Sequence, residues 1–365
     1  MSIHLMRYEE LKVFCEAAYQ GFGFSLSQSE LITDVLLLAD LYGIDSHGTN
    51  RIVMYHEQIQ AGFIDNQAIP EIVMETQVSA VVDGKRGMGQ LVANFATDLA
   101  IQKAKKSGIG LVTVRNSNHY GIAGYYSLRV TKEGLIGISM TNSKVSVTPT
   151  FGKQPMMGTN PFAFSFPAQP QPFNFDVATS VVSVGKVEVY NKLGKELPLG
   201  WGMNSDGVDD IDAARVLQDV MDGKSGMHPL GGGTEEFGGH KGYGFSMVVE
   251  IFSSILSMGT TSNKTEQDGT AGICHFFAAI DPKIFGDPGA ISHHLEEYLN
   301  EIRNSDKAVG QGRIFTHGEK EVESYNNRIQ TGIPVNEKTI LEIKAVAKDL
   351  GMDFYEYFPG LANEV

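Results

Sequence analysis

The feature that most limits how this chain can fold is a change of period near Val78. Before that point apolar residues recur every three or four positions. After it, short β-branched or aromatic runs alternate with helical stretches. Tyr8, Leu11, Phe14, Cys15 and Ala18 share one helix face. Ser27 stands three residues before Glu30, the spacing of a capping box, and residues 31–41 run apolar until Gly43 can end the helix. Ile52, Tyr55 and Ile59 form a third stripe within residues 51–60, before Gly62. The first 62 residues therefore read as three helices. Residues 78–82, 109–114, 135–140 and 162–166 read as strands, with a helix over 90–106 between them, which makes the centre an α/β core. A helix over 242–258, a buried strand over 272–280 and helices over 291–302 and 336–350 follow. Chain ends tend to lie close together. The expected division is a helical domain of residues 1–75 plus about 300–365 around an α/β core of residues 76–299. The glycine-rich stretch 230–239 reads as a mobile loop or hinge.

Charge narrows the function. Forty-three acidic residues against 29 basic ones give −14, with no basic cluster, so a nucleic-acid footprint is not expected. An anionic substrate would be repelled by the summed field and captured by a few local cations, which makes single Arg and Lys residues informative. Cys15 and Cys274 are far apart and outside any Cys-x-x-Cys pair, and His56–Glu57 and His293–His294 lack zinc-helix spacing, so no metal site is expected. No apolar run reaches about 18 residues, and the N-terminus lacks a charged-then-apolar signal pattern. The expectation is a cytoplasmic protein with no membrane partner.

Chemistry concentrates in a few stretches. In Asp45-Ser46-His47-Gly48-Thr49-Asn50-Arg51, His47 and Arg51 stand at i and i+4. On one helical face they would place a proton donor beside a planar carboxylate clamp, suited to a small 2-oxo acid, with Ser46 orienting the imidazole or bonding the substrate. The competing reading is a capped turn with a solvated His and Arg. Asn116-Ser117-Asn118-His119-Tyr120-Gly121 follows a predicted strand, where ligands collect in open α/β sheets, or is a polar turn. Gly158-Thr159-Asn160-Pro161 and Asp176-Val177-Ala178-Thr179-Ser180 flank strands, and turn chemistry alone also accounts for the first. Gly238-Gly239-His240-Lys241 opens a helix, bringing free N–H groups and a lysine to one spot that suits a phosphate or carboxylate. No Gly-x-Gly-x-x-Gly follows a strand, so a standard Rossmann site is unsupported, and no Gly-x-Ser-x-Gly elbow is present. Trp201 reads as a packing anchor.

Taken in order, Ser46-His47-Gly48-x-x-Arg51, Asn116-Ser117-x-His119-Tyr120-Gly121, Gly158-Thr159-Asn160-Pro161, Asp176-x-Ala178-Thr179-Ser180, Trp201 with Asp206-Gly207, Lys241-Gly242-Tyr243-Gly244 and Gly318-Glu319 resemble the malate/L-lactate dehydrogenase family. This family includes ureidoglycolate and sulfolactate dehydrogenases and diketogulonate reductase. The resemblance spans nearly the whole chain. It implies a non-Rossmann, mixed-sheet α/β fold, a homodimer with the site near the subunit interface, and NAD-dependent (alternatively NADP-dependent) interconversion of a small 2-hydroxy acid and its 2-oxo acid. Within the family, a ureidoglycolate- or sugar-acid-specific enzyme is an alternative, as is a carboxylate-binding homologue without turnover. Position by position, it implies that Ser46 and His47 are the catalytic pair, with His119 as the second candidate for proton transfer. Arg51 falls on the substrate carboxylate and Thr159 lies beside the substrate. Cofactor contacts fall on His119, Tyr120, Gly121, Ser143, Asp176, Val177, Ala178, Thr179, His240, Lys241, His317, Gly318 and Glu319. Four places depart from the family pattern: His317 stands where a proline is usual, residues 204–210 replace the usual segment, the glycine-rich stretch with Glu235 and Glu236 before His240 is longer than typical, and Val187-Glu188 occupies the region where some reductases carry an acidic partner for the histidine.

Overall fold

The computed structural model describes residues 2–265 and 272–362. A short strand, β1 (Ile3–Met6), precedes helices α1 (Tyr8–Gly21) and α2 (Leu26–Leu41), a 3-10 turn over Asp45–His47 and helix α3 (Arg51–Gln60). The strand was not foreseen, because four residues are too few to show a period. The capping box is also shifted from its expected place. Ser25 accepts from the Gln28 N–H, and the Gln28 side chain accepts from the Ser25 N–H, so the helix begins earlier than Ser27 and Glu30 suggest.

The α/β region runs β2 (Glu71–Glu75), β3 (Ser79–Asp83), α4 (Gly89–Ser107), β4 (Ile109–Ser117), α5 (Ala123–Thr131), β5 (Ile136–Thr141), β6 (Phe162–Phe166), β7 (Phe173–Val177), α6 (Val184–Lys192), α7 (Ala213–Met221), α8 (Gly239–Glu250) and β8 (Ile273–Ile280). A π-turn over Ile251–Ile255 carries α8 onward, so the expected helix over 242–258 is interrupted. The chain closes with α9 (Pro288–Asn304), α10 (Glu319–Thr331), β9 (Ile333–Asn336), α11 (Glu337–Asp349) and α12 (Phe354–Tyr357).

Seven strands form one sheet in the order β2-β3-β4-β8-β5-β6-β7, in which β3 and β4 are parallel and every other neighbouring pair is antiparallel. This is a mixed sheet, unlike the parallel sheet of a doubly wound nucleotide-binding fold. β8 lies at its centre with almost every residue buried, which explains an apolar run without alternation. The pairing sends β3, β4, β5 and β7 in one direction, so the carboxyl ends of β4, β5 and β7 open on the same edge.

A second apolar cluster joins Leu11, Phe14, Tyr19, Leu36, Ile52 and Tyr55 to Ile333, Val335, Ile340, Ile343, Phe354 and Phe358. β1 pairs antiparallel with β9 beside it. The two ends of the chain thus share one core, and residue 300, where a boundary was expected, falls within α9. Trp201 packs on Tyr190, at 5.0 Å between ring centroids, in a smaller cluster with Val187, Val216 and Met227. Among the described residues no helix is long and apolar enough to cross a membrane.

Candidate active site

The chain leaves β4 through Asn118 to His119, β5 through Asn142 to Ser143, and β7 through Ala178 to Thr179, all at the same edge of the sheet. The turn carrying His47 meets the first of these exits. The His47 and His119 rings stack, with centroids 5.4 Å apart and planes inclined by 30°. Each is held at Nδ1 by a hydroxyl: Ser46 Oγ lies 2.8 Å from His47 Nδ1, and Tyr55 Oη lies 2.7 Å from His119 Nδ1. Neither Nε2 has a partner among the described residues.

His47 and Arg51 do not share a helix, contrary to the spacing argument. His47 ends the 3-10 turn and Arg51 begins α3, with Gly48 between them outside both helical conformations at φ −91° and ψ −144°. They converge because Arg51 Nε donates to the Ser46 carbonyl at 2.6 Å, which folds the guanidinium back under the turn. One Arg51 Nη2 stands 3.9 Å from Glu188 of α6, and the other N–H groups have no partner among the described residues. At α6, Gly185 leaves room for this packing: a Cβ there would stand 2.8 Å from Ser46 Cβ and 3.2 Å from the guanidinium.

Asp40, near the end of α2 and not singled out in the sequence, anchors the turn from below. Its buried carboxylate accepts from the Thr49 N–H at 2.8 Å, and Arg328 donates to the Asp40 carbonyl at 2.6 Å while pairing with Asp45. Burial pushes the Asp40 carboxyl up to about 7. Burial, with the Arg51 guanidinium close by, brings the His47 imidazole down to about 3. Burial, then His47 and Arg51, hold His119 well below its ordinary value too. Both rings are therefore neutral at physiological pH.

The second exit carries a separate hydroxyl cluster. Thr159 N–H donates to Ser143 Oγ at 3.0 Å, and the two hydroxyls lie 3.2 Å apart. Thr179 donates its N–H to the Thr159 carbonyl at 2.9 Å and its hydroxyl to the Thr159 and Asn160 carbonyls. Beneath them Glu250, on α8, is a buried hub that accepts from Asn160, Asn142, Ser254 and Ser262. Nothing in its spacing marked it in the sequence.

The remaining expected residues are placed less directly. Asp176 accepts the Gly124 N–H at the start of α5, at 2.7 Å, and burial pushes its carboxyl up to about 6, with the Glu321 carboxylate adding. Val177 and Ala178 are half-buried at the end of β7. Gly121 has φ 88°, which turns the chain from His119 into α5. The Tyr120 ring is buried away from the edge. Its ring stacks on Tyr126 at 4.7 Å and on His275 at 4.5 Å, so only its backbone can meet a ligand. His275 is itself buried between Thr141 and Ser117, which accounts for a histidine in the central strand.

His240 and Lys241 are exposed at the start of α8, whose N-cap residue Gly238 has φ 83° and supplies no side-chain cap. His317 lies along β7, its carbonyl accepting from Asn174 and its ring edge-on to Phe175 at 4.9 Å. The Glu319 carboxylate is engaged by Arg303 and Thr316 at Oε1 and by Arg313 at Oε2, so it holds this loop together. No group of three or more His, Cys, Asp or Glu side chains among the described residues is arranged to hold a metal.

Comparison with known proteins fits this geometry. The sequence profile described as "Malate/L-lactate dehydrogenase" matches residues 6–344. The malate dehydrogenase of Pyrococcus abyssi is 43% identical over 94% of both chains. The L-sulfolactate dehydrogenase of Methanocaldococcus jannaschii is 33% identical over 97% of this chain and 99% of its own. The crystal structure of malate dehydrogenase from Entamoeba histolytica superposes with a TM-score of 0.94 at 37% identity, covering 97% of this chain and 99% of that one. A mixed sheet without a glycine fingerprint, a paired-histidine edge and these likenesses lead to one conclusion: the chain belongs to the malate/L-lactate dehydrogenase family, pyridine-nucleotide-dependent oxidoreductases of 2-hydroxy acids.

Proposed function

We propose that this enzyme interconverts malate and oxaloacetate with NAD as its cofactor. The observation that carries the reading is the convergence of Arg51 with two neutral, stacked imidazoles whose Nε2 atoms have no partner among the described residues. Arg51, steadied through Nε, offers its remaining N–H groups to the substrate carboxylate. His47 exchanges the proton with the oxygen that alternates between carbonyl and hydroxyl, and Ser46 orients it. His119 makes a second contact to that oxygen, and Thr159 lines the substrate side.

The residues present fit a dinucleotide. The first turn of α8 carries no side-chain cap and presents the exposed His240 and Lys241 side chains, which suits a diphosphate. Ser143, Asp176, Val177, Ala178, Thr179, His317, Gly318 and the backbone at Tyr120 and Gly121 would hold the rest, with Glu319 securing the loop. When bound, the nicotinamide supplies or accepts the hydride.

An assay of NADH and NADPH oxidation against oxaloacetate, pyruvate, sulfopyruvate, oxalurate and diketogulonate tests this reading. Oxaloacetate with NADH should turn over fastest. Preference for another acid or for NADPH would reassign the substrate or cofactor, and no turnover with any pair by folded protein would overturn the reading.

The pH dependence carries a sign. Oxidation of the hydroxy acid needs neutral His47, the form present above its pKa. With His47 brought down to about 3 by burial and Arg51, kcat/KM for oxidation should show no His47 limb between pH 5 and 8 and fall only towards about 3. Groups facing it are Arg51, His119 and, across Arg51, Glu188. A limb near 6.5 would show that Arg51 and burial do not act on this ring.

A homodimer completes the proposal. Phe245, Val248, Ile255, Leu256 and Met258 project from α8 and the segment after it, and Phe252 and Leu256 share a groove with Met74 of β2. A monomer would leave this apolar surface in water. Light scattering should give twice the chain mass for the native protein and a monomer for Ile255→Arg.

A further inference from the structure

Two stacked histidines at one site pose a question of division of labour, and their Nδ1 partners differ in kind. His47 faces the hydroxyl of Ser46, a half-buried rotor that can donate or accept as the ring changes its protonation. His119 faces Tyr55, which is fully buried in the helical core. Tyr55 Oη also accepts from Gln90 Nε2 at 2.8 Å, and Gln90, at the start of α4, is equally buried. No other partner surrounds this hydroxyl among the described residues.

The phenol has one proton. With Gln90 Nε2 facing the phenol oxygen, the O–H is satisfied by pointing at His119 Nδ1; the reversed amide would turn Gln90 Oε1, which is buried without a partner, to the phenol at the cost of stranding Nε2, a buried donor. His119 Nδ1 must then be the acceptor. In the neutral ring the proton resides on Nε2, the nitrogen with no protein partner. Forming the imidazolium would put a second N–H against the phenol and force its O–H to turn away into the core.

We infer that Gln90 and Tyr55 are positioning residues that lock His119 as a neutral Nε2–H hydrogen-bond donor, leaving proton exchange to His47. This rests on the site reading above and goes beyond it. His119 polarises the reacting oxygen with a fixed donor, as an oxyanion-hole group does, and its proton stays in place through the reaction. Ser46 and His47 keep the freedom that proton transfer requires.

Two measurements test it. In protein labelled with 15N-histidine, long-range proton–nitrogen correlation should show His119 with unprotonated Nδ1 and protonated Nε2 across pH 5 to 8. Tyr55→Phe, which preserves the ring volume, should make the tautomer mixed, and Gln90→Leu should move it in the same direction. This readout needs neither substrate nor cofactor, so it stands even if the malate assignment fails.

In turnover, Tyr55→Phe should lower kcat about 10-fold with KM little changed, the scale that outer-shell partners carry. His119→Gln keeps an N–H donor and cannot titrate. It should retain at least about 10-fold more kcat than His119→Ala, which should lose about 10²- to 10³-fold. His47→Gln should be no better than His47→Ala. Protonated Nδ1 on His119 in the native protein, or His119→Gln as inactive as His119→Ala, would overturn the inference.

Discussion

Replacing Arg51 by alanine should raise the KM for the 2-oxo acid roughly 10- to 100-fold while leaving kcat within a few-fold, because the lost contact is a charge-assisted pair made equally in ground and transition states. Replacing His47 by alanine should do the reverse. It should lower kcat by about 10²- to 10⁴-fold with KM nearly unchanged, the usual share of a positioned proton donor. The two variants are coupled through electrostatics. Arg51 is the second cause, after burial, of the low pKa of His47, so Arg51→Ala should let that ring titrate closer to its ordinary value. A bound carboxylate does the same by neutralising the guanidinium. Substrate capture therefore raises the basicity of His47 at the moment it must carry a proton. Steady-state kinetics in both directions, together with His47 titration by NMR in the free and oxamate-bound states, checks the pair. An Arg51→Ala enzyme that loses kcat alone would remove Arg51 from substrate binding.

Gly89→Ala is expected to be a severely damaging single-methyl change next to the site. Gly89 opens α4 directly beneath the histidine loop, where a Cβ would stand 2.2 Å from the His119 carbonyl oxygen and 2.3 Å from that of Asn118. Those neighbours are backbone and cannot swing aside, so either α4 or the loop must shift. The expected cost is about 3 kcal/mol, at the upper end of ordinary overpacking, read as a lower midpoint in thermal or urea unfolding. At temperatures where the variant is still folded, kcat should fall by about 10²-fold, since a displacement near 1 Å at a reacting group costs that much. Gly312→Ala, where nothing lies within 4 Å of the added methyl, serves as the control and should leave the midpoint nearly unmoved. A Gly89→Ala enzyme as stable and active as the native one would mean the loop is far softer than its hydrogen bonds imply.

The α/β centre was legible because its strands are long enough to show composition and its helices long enough to show a period. β6 lies where the sequence places it, and β4 begins where expected and runs on to Ser117. β1, β2 and β9 escaped because four or five residues, largely exposed or half-buried, leave no pattern to read. At the site, residues adjacent in sequence were found and those that act across space were not. Ser46, His47 and Arg51 announce themselves within six positions. Tyr55 was visible only as one apolar step of a helix stripe, although its hydroxyl reaches His119, 64 residues away. Gln90 and Glu250 sit in helices whose other residues read as ordinary packing. Spacing also misled on Arg51, since i and i+4 describe one helix face only if a single helix contains both, and here a 3-10 turn ends between them.

The pairing of β1 with β9, and the core that the two ends share, set the order in which this enzyme can be completed. Arg51 and the turn before it rest on α1 to α3, whose apolar faces are covered by Ile333, Ile340, Ile343, Phe354 and Phe358. During synthesis those first helices emerge with their covering segment still unmade, and some 270 further residues must follow before it arrives. Contacts of such long sequence separation form late and slowly. The nascent N-terminal segment therefore waits as exposed amphipathic helices, a ready client for chaperones, and catalytic competence comes only after the last turn of the C-terminal helices has left the ribosome.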